Sequence, residues 1–409
     1  MGGIRSLFGK SSVAPYILEH HISLRGELKT FLISELVDFI AFAQGSHIDH
    51  DLDPQPMVYC HDLAGLIIYV ARARDTNEVE VLKLIGLDRG QGHTQLTLQP
   101  HTAEDLLSKQ LGEKAKRRRR SEGVTVKEKS VFGVNSLIIL ATSPVKSENA
   151  ANLSIFLAKT QLKEVCFKFC GDLKVFNEIT GIQTATSTYP CYACEGKRDP
   201  KTGAWVDLPA PLRTYNSNMA RHNDWLQNGG GFLGGEAGLK LSKHHCNVTE
   251  APLLGNNEPD KPLLLILVPG GLHLKLGLVN DTLSLLGKLW SGLEDWLRRR
   301  SILYVPYHGL MLEGNECSKV LKDVDSLERE LPPHLQVFAS YLRSFSAVMS
   351  STFGMEPKPS WQQDIELMRS EFLKVQEQFN LRETPKLHII FEHIPDFVRL
   401  EIRHSFEKF

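Results

Sequence analysis

The period of the hydrophobic pattern changes several times along this chain, and each change marks an element. Residues 24–43 carry apolar positions at helical spacing, which predicts a helix ended by Asp51-Leu52-Asp53-Pro54-Gln55-Pro56. Residues 79–87 form a hydrophobic run that reads as a strand, followed by Asp88 and the turn Arg89-Gly90-Gln91-Gly92. Residues 94–98 alternate as a second strand and residues 137–141 form a third, fully apolar one. Helical spacing returns over 148–161, and a fourth strand over 165–169 runs into Gly171-Asp172. Further on, residues 276–297, 335–353 and 361–379 place apolar side chains three and four apart, as helices with core-facing stripes do. The stretch 228–235 contains G-x-G-x-x-G, but no strand precedes it and no helix is expected after it. It reads as a flexible loop and not a dinucleotide site.

Composition narrows the function classes. The 409 residues carry a formal net charge of −1, so no global basic field marks a nonspecific nucleic-acid binder, and any such contact has to be local. The local candidate is Lys114-Ala115-Lys116-Arg117-Arg118-Arg119-Arg120, on the loop between the second and third strands. Lys116, Arg117, Arg118, Arg119 and Arg120 can pair with phosphates or serve as a nuclear-localisation element, and a solvated loop is the plain alternative. Seven cysteines without regular spacing argue against a disulfide framework and for a reducing compartment. No apolar run approaches a membrane span, so no stable membrane association is expected. Met1-Gly2-Gly3-Ile4-Arg5-Ser6 matches the myristoylation pattern, but one acyl chain anchors only marginally.

Four soft ligands stand out. Cys191 and Cys194 lie in Cys-Tyr-Ala-Cys after Tyr189-Pro190, and His388 and His393 lie in His-Ile-Ile-Phe-Glu-His. A Cys2His2 set suits a tetrahedral structural Zn²⁺ ion, although a local zinc finger would bring its histidines far closer in sequence. Asp88 and Asp172 form the other pair of interest. Three strands, a helix and a fourth strand are the core order of the ribonuclease H-like fold, in which the first and fourth strands are neighbours. Asp88 and Asp172 would then meet at one end of the sheet, where two carboxylates can hold catalytic Mg²⁺ or Mn²⁺. Each aspartate taken alone reads equally well as a turn or cap residue.

In series, these residues resemble the Transib-type transposases and the catalytic subunit of the V(D)J recombinase. The resemblance runs from about Val79 to Val398. It rests on Leu84-Ile85-Gly86-Leu87-Asp88-Arg89-Gly90, on Gly171-Asp172-Leu173-Lys174 followed by Gly181 and Cys191-Tyr192-Ala193-Cys194, and on Arg213-Thr214 through Trp225. Glu313-Gly314-Asn315-Glu316-Cys317-Ser318-Lys319 and the segment from His388 to Pro395 complete it. The resemblance implies an α/β fold: a ribonuclease H-like core with a mixed sheet, interrupted by a large, mainly α-helical zinc-binding insertion. The expected division is an N-terminal helical region (1–78), the first part of the core (79–185), the insertion (186–395) and a shortened remnant of the catalytic C-terminal helix (396–409). It implies a DDE-type enzyme that nicks DNA and transfers the freed 3′-hydroxyl, acting as a homodimer in the nucleus. The third acid of such a set is a glutamate on a helix after the histidines. Glu401 is the candidate here, although the family's glycine-rich turn and Ser-Glu helix are missing and Glu401 lies closer to His393 than in the family. The alternatives are a catalytically inactive zinc-containing module for DNA binding or protein interaction, and a lipid-anchored scaffold.

Overall fold

A strand whose every side chain is buried has to lie inside a sheet covered on both faces, and residues Ile138–Ser143 (β5) meet that condition at all six positions. In the computed structural model, the structure describes residues 37–43, 52–72, 82–90, 93–101, 138–145, 149–162, 167–183, 186–199, 201–304, 311–353 and 357–399. The chain divides into two units, Met1–Gln183 with Thr214–Val268, and Thr184–Arg213 with Pro269–Phe409.

The first unit is built on a mixed sheet. Its other strands are β1 (Val37–Ala43), β2 (Leu52–Tyr59), β3 (Leu82–Gly90), β4 (His93–His101) and β6 (Lys168–Gly171). Their order is β1-β2-β5-β4-β3-β6, and the short strand Leu267–Pro269 follows β6. β3 runs antiparallel to β4 and parallel to β6. The sheet core is mainly apolar, with Leu84, Leu96, Leu98, Leu140 and Phe169 fully buried, and it also encloses Thr94, Gln99, Thr142 and Ser143. Helix Ala150–Lys159 adds Leu153, Phe156 and Leu157 to that core and begins at Asn149, whose side chain accepts from the Asn152 amide at 2.8 Å. Helix Leu173–Thr180 starts immediately after β6 and ends at Gly181, which has φ +74°. A Cβ at Gly181 would also lie 2.0 Å from the Glu250 carbonyl oxygen, so both the conformation and the space require glycine.

Several expectations are corrected here. The helix expected over 24–43 is replaced, for residues 37–43, by β1; residues 24–36 lie outside the described residues. The expected break at Leu52–Pro56 is strand β2, paired antiparallel with β1. Pro54 and Pro56 are tolerated because β2, although it lies between β1 and β5, pairs with β5 only at Val58 and Tyr59, so the prolines sit where the ladder runs to β1 alone. The N-terminal region is therefore not simply helical, although Leu63–Arg72 is a helix. After the glycine-rich turn a helix does follow, Gly235–His244, with Gly234 at its N-cap. Gly235 with φ +60° ends the turn, and only then does the backbone become helical. The stretch 214–268, within the span expected for the insertion, groups with the first unit.

The second unit is mainly helical. Helices Gly271–Leu289 and Leu293–Arg299 replace the single helix expected over 276–297. Trp290 adopts an extended conformation between them, and Gly292 carries the chain into the second. Helices Gln336–Thr352 and Trp361–Phe379 follow the expected spans closely and pack as an antiparallel hairpin. Their rings meet at Phe338–Phe379 (centroids 4.9 Å apart) and Tyr341–Phe372 (6.0 Å), and Phe372 continues to Phe391 (5.9 Å). Among the described residues, no helix is long and apolar enough to cross a membrane.

Candidate metal centre

Cys191, Cys194, His388 and His393 all belong to the second unit and converge there, although nearly half the chain separates the two pairs. All four are buried, and their ligand atoms lie within 4.8 Å of one another. Cys191 Sγ is 3.4 Å from His393 Nε2, and Cys194 Sγ is 3.3 Å from His388 Nε2. A tetrahedral zinc ion with bonds of about 2.3 Å to sulfur and about 2.0–2.1 Å to nitrogen holds such pairs roughly 3.6 Å apart. The donor set therefore fits a metal such as zinc in type, in number and in spacing. Among the described residues this is the one such group of histidine, cysteine and carboxylate side chains.

The cysteine half is a tight knuckle. The Ala193 amide donates to Cys191 Sγ and the Gly196 amide to Cys194 Sγ, each at 3.3 Å. These bonds favour the thiolate form that a metal needs. Gly196 leaves little spare room: a Cβ there would lie 3.1 Å from Cys194 Sγ and 3.2 Å from the Trp205 ring. Arg213, fully buried, fastens the knuckle from beneath. Its Nε donates to the carbonyls of Cys191 and Cys194, both at 2.9 Å, and its own amide donates to Ala193 O at 2.9 Å. The two-residue strands Lys197–Arg198 and Trp205–Val206 pair as a ribbon beside it, closed by a turn in which Asp199 accepts from the Lys201 and Thr202 amides. Trp205, carried on this ribbon, stacks on the His388 ring at 3.6 Å between centroids and 11° between planes.

The histidine half owes its geometry to an uncommon backbone. Thr384 caps the turn Pro385–His388 by accepting from the Leu387 amide, with Pro385 at the first helical position. The chain then widens into a π-helical turn, Ile389–His393, in which the Ile394 amide reaches Ile389 O, before helix Ile394–Arg399 resumes. In an α-helix of 3.6 residues per turn, side chains five apart diverge by roughly 140°. The wider i→i+5 turn brings them back to one side. His388 and His393 thus face the same point, with ring centroids 4.9 Å apart. The Asp396 carboxylate lies 3.6 Å from His393 Nδ1, in the place of the outer-shell acid that commonly orients a ligating histidine.

Without a metal, protons substitute for its charge. Burial alone would raise the Cys191 thiol, but hydrogen bonds from Cys194 and the backbone, with Arg213, hold it below its ordinary value. Cys194 is pushed up to about 11, by its hydrogen bond to Cys191 and then by burial. Burial lowers His388. It opposes charge on His393 as well, yet Asp396 and Cys194 overcome it and push His393 up to about 9. The pocket favours one positive charge beside the thiolate, and a divalent cation would satisfy the same field while displacing the protons.

The other sequence-derived site residues are spread differently. Asp88 lies inside β3, which continues to Gly90, and does not follow the strand as expected. β3 pairs with β6 through Leu84–Lys168, Ile85–Phe169 and Gly86–Cys170, and this register carried two residues further sets Asp88 level with Asp172. Asp172 is the N-cap of Leu173–Thr180 and accepts from the Val175 amide at 2.7 Å. On β6 itself, and outside that set, Lys168 is turned inward, with Nζ donating to Leu265 O, and burial lowers its pKa. Lys116, Arg117, Arg118, Arg119, Arg120, Glu401 and Gly2 lie outside the described residues.

Sequence reasoning did not identify Arg213, Gly196, Trp205 or Asp396 as parts of the centre. Pro395, two residues after His393, is the local signal for the π-turn, because it removes the amide that an α-helix would use next. A family model described as "Domain of unknown function (DUF8703)" matches residues 129–225. The match includes Asp172, Cys191 and Cys194 and leaves out Asp88 and both histidines. No curated protein matches the chain.

Proposed function

We propose that the chain is a transposon-derived protein of the DDE transposase and recombinase type, with a ribonuclease H-like core and a structural zinc ion held by Cys191, Cys194, His388 and His393. In this reading Asp88 and Asp172 hold Mg²⁺ or Mn²⁺ for phosphodiester cleavage, with Glu401 as the candidate third acid. DNA is the partner, bound by a homodimer in the nucleus.

The observation that supports it most is the sheet. The series β5-β4-β3-β6 followed by Leu267–Pro269, with β3 antiparallel to β4 and parallel to β6, is the strand arrangement such a core requires. The register that sets Asp88 level with Asp172 is the second support. A divalent ion at two adjacent carboxylates can activate the attacking oxygen and stabilise the leaving one.

A second reading has its own observation. The Asp172 carboxylate already serves as a helix cap, a sufficient structural reason for aspartate at that position. In this alternative the protein keeps its zinc and its fold but binds DNA or a protein partner without cutting. Asn caps as well as Asp does but carries no charge, so Asp172→Asn separates the two roles. Loss of Mg²⁺- or Mn²⁺-dependent plasmid nicking in both Asp88→Ala and Asp172→Asn, with folding unchanged, supports the enzyme. Wild-type protein that binds DNA and never nicks it supports the inactive module. Wild-type protein that does neither refutes the DNA-directed reading altogether.

A further inference from the structure

The π-helical turn is the least self-sufficient part of the metal centre. Pro395 has no amide hydrogen, so the carbonyl of Phe391, four residues earlier, cannot receive its normal α-helical bond. Phe391 is 3 % exposed, and an unmet carbonyl there would be costly. The bond comes from another helix. Arg369, on Trp361–Phe379, donates through Nη2 to Phe391 O at 3.1 Å. The same nitrogen pairs with Glu392 Oε1 at 2.9 Å, and the guanidinium carbon lies 4.7 Å from the centre of the Phe391 ring. One side chain therefore holds the backbone, the ring and the next carboxylate of the turn that joins the two histidines.

We propose that Arg369 is a positioning residue for the metal centre: it supplies the hydrogen bond that Pro395 withholds and thereby keeps the turn in the register that aims His388 and His393 at one ion. This rests on the reading of the four residues as a metal site. Pro395 closes the α-helical alternative, and Arg369 makes the π-helical one stable. Without Arg369 the Phe391 carbonyl must find a partner elsewhere, and the turn shifts by rotating His393 away from Cys191. The cysteine knuckle, held independently by Arg213 and the Ala193 and Gly196 amides, stays as it is.

The test uses the full chain loaded with Zn²⁺ or Co²⁺, and compares wild type with Arg369→Gln, Arg369→Lys and Arg343→Gln. Arg343 is a control from the same unit, ion-paired to Asp325 and Glu328 on the neighbouring helix. Chelator competition should show zinc affinity falling about 10–100-fold in Arg369→Gln, as expected for loss of an outer-shell partner. It should fall less in Arg369→Lys, and not at all in Arg343→Gln. Co²⁺-loaded Arg369→Gln should keep its thiolate charge-transfer absorption but lose intensity in the tetrahedral d–d bands, because a histidine leaves while both sulfurs remain. Wild-type affinity and an unchanged cobalt spectrum in Arg369→Gln overturn the proposal while the metal site itself stands. If Arg369→Gln does not fold, Arg369→Lys decides by the same two measurements. A wild-type protein that binds no metal overturns the metal reading, and the proposal with it.

Discussion

A metal bound by four residues from two distant stretches acts as a cross-link, and its removal should be felt through the whole second unit. Cys194 and His388 are 194 residues apart in sequence. Closing a loop of that length removes chain entropy worth about 5 kcal/mol from the unfolded state, by the relation used for disulfides. For a unit of this size each kcal/mol moves the melting temperature by about 2–4 °C, so complete chelation should lower it by roughly 10–20 °C. A ligand bound only by the folded state gives a figure of similar size, about 4 kcal/mol when free metal exceeds its dissociation constant a thousandfold. The assay is scanning calorimetry of protein with one bound zinc per chain, before and after chelation, with Cys194→Ser as the genetic equivalent. Cys194→Ser should melt with the chelated protein and should not respond to added zinc. A shift under about 2 °C on stripping a stoichiometric zinc would refute the cross-link reasoning, because the ligands would then be held together without the metal.

Other consequences follow from the same geometry. In metal-free protein His393 is pushed up to about 9 from an ordinary 6.5, so its stabilising contribution is complete below pH 6.5 and is lost as pH rises through 9. Zinc-loaded protein should lack that loss, and parallel melts between pH 6 and 9.5 check it. The His393 proton and the Cys194 proton must both leave when metal binds, so apparent zinc affinity should rise with pH through about 9 and on towards about 11, read by competition with a chelator of known pH dependence. Gly196→Ala should cost about 1–3 kcal/mol in denaturant melts and weaken zinc binding, since the new methyl presses on Cys194 Sγ and Trp205. Glu383 is pushed up to about 7, by burial first, with Arg369 opposing and Glu392 reinforcing. A carboxyl whose folded pKa is raised costs stability progressively as pH rises from 4.5 to 7, so Glu383→Gln should raise stability at pH 8 relative to its effect at pH 4.5. Equal effects at both pH values would show that Glu383 does not titrate there.

Much of the first unit was legible in the sequence because burial leaves a local record. β5 is apolar from Ile138 to Ala141 since it is covered on both faces, and β4 alternates between buried and half-buried positions from Thr94 to Leu98. Helix Trp361–Phe379 was readable end to end because its stripe buries Ile365, Met368, Phe372 and Val375 at helical spacing. The reading failed where local preference and final partner disagree. Val37–Ala43 has apolar residues that suit a helix, and pairing with β2 makes it a strand. Pro54 and Pro56 read as a break, though they fall where β2 is paired with β1 alone and their amides can be dispensed with.

The four metal ligands were visible as residue types, because cysteine and histidine in close pairs carry a chemical signature wherever they fold. Their convergence on one ion was expected from the residue types, but how it is achieved was not legible, since no local rule brings position 191 to position 393. It depends on the knuckle fastened by Arg213, on the ring of Trp205 against His388, and on a helix that widens by one residue between the two histidines. By itself the sequence determined which atoms can bind a metal and which segments bury their faces. Only the tertiary structure decided where those atoms meet, because the bonds that aim them come from Arg213 and Arg369, side chains whose distance from their partners along the chain says nothing of their nearness in space.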